Sequence, residues 1–196
     1  MDLFNINISS RAPGAGKLLV AEPFLRESFF NHAVIAMIDC DPDKPSMGVV
    51  MNQETGHTLD TLVEDISVQG IPVYCGGPMS CDRLYYIHTL GPDILPGAGE
   101  ISPGLWIGGD FKSMCGYVEA GYPLDGLIRF FIGYSGWERG QLDGEMEQKV
   151  WAVADMPQPP SRLLSTTGDA QWHEAVRSLG SPYRTWLYHP RDLRAN

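Results

Sequence analysis

Short apolar runs along the chain are separated by clusters of Pro, Gly, Asp and Asn, a spacing that suits buried strands. Residues 17–21, 33–38 and 47–51 are the first three, and Asp41-Pro42-Asp43-Lys44-Pro45 between the last two is compact enough for a hairpin. Thr58 is placed to cap a helix with Leu59, Leu62, Val63 and Ile66 inward and Thr61 and Glu64 in water. A brief strand over 72–75 runs into Gly76-Gly77-Pro78, and 83–90 reads as a longer strand rich in aromatic and β-branched residues. After a Gly- and Pro-rich connection, 105–109 predicts another short strand. Asp110 then caps a helix burying Phe111, Met114, Cys115 and Val118 and ending at Gly121.

The most apolar strand spans 127–132 and is predicted to break at the glycines of Gly133-Tyr134-Ser135-Gly136-Trp137. Beyond Gly140 comes a helix whose stripe is Leu142, Met146 and Val150 and whose other face is acidic. Pro157-Gln158-Pro159-Pro160 imposes an extended connection, and a last helix over about 169–179 turns Trp172, Ala175, Val176 and Leu179 inward. Without strict strand-helix alternation, this order predicts an α+β fold. It is a single compact domain with a mixed or largely antiparallel, curved sheet or partial β-barrel flanked by helices. Residues 1–15 lack periodicity and read as an N-terminal arm, with the domain proper over 16–196.

An apolar content of 43% over 196 residues supplies a sizeable core. A formal charge of −10 with 14 scattered Lys and Arg repels phosphate backbones, so direct nucleic-acid binding is not expected. The chain has no apolar run long enough to span a membrane and does not open like a secretory signal, which points to a cytoplasmic protein. Cys40, Cys75, Cys81 and Cys115 read as reduced thiols. Their spacing builds no zinc site, and no phosphate loop or cofactor signature is present.

Candidate chemistry is sparse. Ser135 follows a strand, as a nucleophile elbow requires, but Trp137 stands where the elbow needs its second glycine. His88 closes a strand and could serve as an acid or base. His32, His57, His173 and His189 are expected in solvated positions. Asn52 and Gly76-Gly77-Pro78 follow strands, where they can meet a ligand or simply satisfy a turn. Glu138, Asp143, Glu145 and Glu147 form an acidic cluster that reads as a solvated helix face, while Trp137 anchors the corner and needs an acceptor for its indole N–H.

Four segments, in order, resemble the YqgE/AlgH family of bacterial proteins. They are Gly16-Lys17-Leu18-Leu19-Val20-Ala21-Glu22-Pro23 with Phe29, and Met47-Gly48-Val49-Val50-Met51-Asn52. The third is Cys75-Gly76-Gly77-Pro78 followed by Ile87-His88. The last is Gly133-Tyr134-Ser135-Gly136-Trp137 with Gly140-Gln141-Leu142, Glu145 and Trp151. Where the family usually has Asn-Lys/Arg-Pro, this chain has Asn52-Gln53-Glu54. The resemblance implies a compact α+β fold, a cytosolic location and no established activity, although one branch is named as a transcriptional regulator.

The leading expectation is a ligand- or protein-binding regulatory module in which Asn52, Gly76, Gly77, Pro78, His88, Tyr134, Trp137 and Gln141 converge on one cleft. The alternatives are a hydrolase-like or metal-assisted enzyme using His88 with Glu138 or Glu145, and a regulator acting directly on DNA.

Overall fold

A computed structural model describes residues 11–25, 27 and 29–189. Ten strands are β1 Lys17–Ala21, β2 Val34–Asp39, β3 Ser46–Val50, β4 Glu54–Thr58, β5 Pro72–Cys75, β6 Met79–His88, β7 Gly99–Ser102, β8 Leu105–Ile107, β9 Ile128–Trp137 and β10 Trp151–Asp155. The helices are α1 Leu59–Leu62, α2 Phe111–Glu119, α3 Gln141–Glu147, α4 Ser161–Ser165 and α5 Gly168–Leu179, followed by a 3-10 helix over Ser181–Tyr188. The sheet runs β10-β1-β2-β3-β9-β6-β8-β7, with β4 and β5 branching from β9. Only the β5–β9 pairing is parallel among the described residues. The result is the expected α+β domain with a curled, largely antiparallel sheet. No helix among the described residues is long and apolar enough to cross a membrane.

The central strands read as unbroken apolar runs because both faces of the sheet are covered, so alternation sends successive residues into different cores. Leu18 and Val20 of β1, Val34 and Ala36 of β2, and Ala152 and Ala154 of β10 pack beneath α4 and α5 with Trp172 and Val176. Their neighbours Leu19, Ile35 and Val153 face the opposite side, against Trp137 and Leu142. A third core gathers Met114, Cys115 and Val118 of α2 with Phe130 and Tyr86.

β9 departs from expectation. Gly133 bends the strand without ending it: up to Ile132 the strand pairs with β5, and from Ser135 it pairs with β3. Gly133 has φ +71°, and a Cβ there would lie 2.3 Å from the Gly77 carbonyl oxygen. A Cβ on Gly77 would lie 2.0 Å from the Tyr134 carbonyl carbon. The Gly-Gly-Pro segment and the aromatic corner are therefore two sides of one backbone crossing that tolerates no side chain.

Several further elements differ from the sequence reading. The helix expected from Thr58 lasts one turn, since Val63 is already extended at φ −127°. Thr58 does not cap with its side chain, and its carbonyl instead accepts from Thr61 Oγ1 at 2.7 Å. Leu62 is left 42% exposed, while Leu59 and Ile66 are buried. β4 and β7 carry few apolar residues and so leave no apolar run to read. β10 directly follows the stripe assigned to α3. Of the expected arm, residues 1–10 lie outside the described residues, whereas Arg11 pairs with Asp155 at the end of β10, as does Lys17 of β1.

Candidate functional site: a buried arginine beside a pocket

Arg129 is the one charged side chain in the most apolar stretch of β9, and it is only 6% exposed. Alternation puts it on the Phe131 side of the strand, under the α4–α5 connection. Nη1 donates to the Met51 carbonyl at 2.8 Å and to Gln171 Oε1 at 3.3 Å. Nη2 donates to the carbonyls of Leu164 at 2.7 Å and Thr166 at 2.9 Å. The guanidinium also lies over the Tyr74 ring, 4.5 Å from its centroid. Four of its five N–H donors are thereby spent on neutral acceptors, and Nε–H makes no hydrogen bond among the described residues.

No carboxylate among the described residues lies within ion-pair distance of Arg129. A buried cation with no anionic partner is costly, and dipoles offset only part of that cost. Burial accordingly pushes the guanidinium pKa down, opposed by Tyr74 and the more distant Asp125 and Glu54. Arg129 lines a pocket of about 340 Å³ with Tyr74, Ile71, Leu124, Phe130 and Thr167. A larger depression of about 570 Å³ beside Arg177 and Arg184 has only exposed charges, which remain solvated.

The residues singled out from the sequence fall into four places. Asn52, 1% exposed, accepts from the Val34 amide at 3.0 Å and donates to the carbonyls of His32 at 2.8 Å and Gly168 at 2.9 Å. It therefore ties the end of β3 to α5, beside the Met51 carbonyl that Arg129 holds. Gly76, Gly77, Pro78 and Tyr134 belong to the backbone crossing, where the Ser135 hydroxyl, 2% exposed, donates to the Gly76 carbonyl.

Trp137, Gln141 and Glu145 form a separate knot. Glu145 Oε2 accepts from the indoles of Trp137 at 2.8 Å and Trp151 at 2.7 Å, and its Oε1 accepts from Gln141 Nε2 at 2.9 Å. Gln141 Oε1 in turn accepts from the Glu138 amide. Glu145 is thus an internal acceptor, not a member of a solvated acidic face.

His88 lies apart from all of these. It pairs with Ile128, while Tyr134 pairs with Met79, and the path along β9 between Ile128 and Tyr134 is roughly 20 Å of strand. His88 is fully buried against the Gly108 carbonyl, 2.9 Å from Nε2, and Nδ1 has no hydrogen-bond partner among the described residues. Burial pushes its pKa down, which keeps the ring neutral. The structure does not bring His88 together with Glu138 or Glu145, nor does it gather the eight expected binding residues into one cleft. Among the described residues no group of three His, Cys, Asp or Glu side chains could hold a metal ion.

His32 also departs from its expected solvated position. It is fully buried, stacked on Trp172 at 3.7 Å and 3° between planes, with Nδ1 2.5 Å from Asp169 Oδ1. Arg129 itself escaped the sequence reading although its signal was present: a single cation flanked by Ile128 and Phe130 inside an apolar strand. Such a residue must find internal partners or a ligand.

A family model described as AlgH-like matches residues 18–184. A UPF0301 protein of Parabacteroides distasonis is 37% identical over 196 residues, covering 100% of this chain and 98% of the relative. One of Bacteroides thetaiotaomicron is 37% identical over 191 residues, covering 97% and 95%. A crystal structure of a Corynebacterium diphtheriae protein superposes with TM-score 0.73 at 21% identity, covering 92% of this chain and 94% of that one. The solution structure of the AlgH protein from Pseudomonas aeruginosa gives 0.68 at 24% identity, covering 87% and 92%. These two likenesses concern the fold alone.

Proposed function

The chain belongs to the AlgH-like family, and on that premise we propose that it is a small-molecule-binding regulatory module whose ligand site is the Arg129 pocket. The observation that carries the reading is a guanidinium 6% exposed, with no anionic partner among the described residues, at the wall of a pocket of about 340 Å³. A carboxylate or similar anion entering there gains a charge-assisted hydrogen bond in a partly desolvated setting, and the apolar walls contribute burial. Binding also reads out on the fold. Arg129 holds the end of β3, the carbonyls at the end of α4 and the Gln171 amide of α5, so a ligand that draws on its charge acts on the junction of three elements.

The test compares 3-phenylpropionate with its uncharged amide by isothermal titration. A hydrogen bond to a charged group contributes about 1.5–3 kcal/mol, so the carboxylate is expected to bind roughly 10- to 100-fold more tightly. Leu124→Trp, which fills the pocket without touching the arginine network, is expected to abolish binding. Equal affinity for acid and amide, or binding unaffected by Leu124→Trp, contradicts the proposal.

A further inference from the structure

The mouth of the Arg129 pocket carries the opposite charge. Asp125 lines the same pocket and is exposed, whereas Arg129 at the wall is almost wholly buried. Glu54 accepts from the hydroxyl of Thr167, another lining residue, at 3.5 Å. Both carboxylates are close enough to oppose the lowering of the Arg129 pKa. A simple anion approaching Arg129 must therefore pass a negative rim on a molecule whose formal charge is already −10. A ligand that carries its own cation beside the anion meets attraction from both residues. The other walls of the pocket are largely apolar, with Ile71, Pro72 and Leu124 among them.

We infer that the ligand is a zwitterion of the apolar α-amino acid class. Its carboxylate takes Arg129 Nε–H, its ammonium faces Asp125, and its side chain lies against Leu124 and Ile71. The inference rests on the proposed ligand site and narrows the chemistry of its occupant. Selectivity arises because removing either charge leaves one protein charge facing an apolar group, a penalty that falls on the wrong ligand.

Titration of the full chain with L-phenylalanine, 3-phenylpropionate and 2-phenylethylamine separates the possibilities. L-Phenylalanine is expected to bind at least about tenfold more tightly than either single-charge analogue, the difference that about 1.4 kcal/mol produces. Asp125→Asn, an exposed substitution outside the arginine network, is expected to remove that advantage while leaving 3-phenylpropionate bound as well as before or better. If 3-phenylpropionate matches L-phenylalanine in the parent protein, the zwitterion inference falls and the carboxylate site stands. Preference for 2-phenylethylamine, or no binding by any of the three, overturns both.

Discussion

Glu145 shows how one acid can hold an aromatic cluster together. Trp137 and Trp151, each about 5% exposed or less, present indole N–H groups from the aromatic cluster, and one carboxylate oxygen serves both. Glu145→Ala leaves two largely buried donors unpaired, at about 1–3 kcal/mol each, so urea denaturation is expected to show a loss of about 2–6 kcal/mol. Glu145→Gln retains an acceptor and is expected to lose less than half as much. An alanine variant as stable as the parent would show that the knot is dispensable. The sequence did disclose that Trp137 needed an acceptor. It did not disclose which of four nearby acids would supply it, because the answer depends on β10 bringing Trp151 to the same oxygen.

At the scale of elements, apolar pattern located the strands that are covered on both faces and the helix capped by Asp110, whose carboxylate accepts from the Ser113 amide at 2.7 Å. It failed where pairing, not burial, defines the element. β4 reads Glu-Thr-Gly-His-Thr and forms only because β5 lies beside it. The glycines at 133 and 136 looked like a strand end because local rules treat glycine as a breaker. The strand continues because it pairs with β3 beyond the bend, and at Gly133 the carbonyls of Gly77 and Met79, far away in sequence, fill the space a side chain would occupy. Gly77→Ala is therefore expected to cost more than about 4 kcal/mol or to prevent folding. Gly116→Ala, in α2 with open space around it, is expected to gain about 0.5–1 kcal/mol. Thermal denaturation followed by circular dichroism compares the two, and a Gly77→Ala protein with parental stability would refute the crossing as a tight constraint.

For the whole molecule, the fold class was legible because composition and element order suffice to set it, while the site was not. The eight residues expected to converge share motifs, not a location, and the backbone crossing, the indole knot and the His88 core divide them. Asn52 alone borders the arginine network, fixing Gly168 and the end of β3 while Arg129 fixes the neighbouring Met51, Leu164 and Thr166. Arg129 was hidden because its meaning depends on helices that meet β9 only after folding. The most direct test observes its remaining donor. In a proton–nitrogen correlation spectrum, the Arg129 Nε–H resonance is expected to shift progressively and saturate as 3-phenylpropionate is added, tracking the calorimetric isotherm. An Nε–H signal that stays fixed while the carboxylate binds elsewhere, or while nothing binds, would contradict the assignment of this pocket as the ligand site.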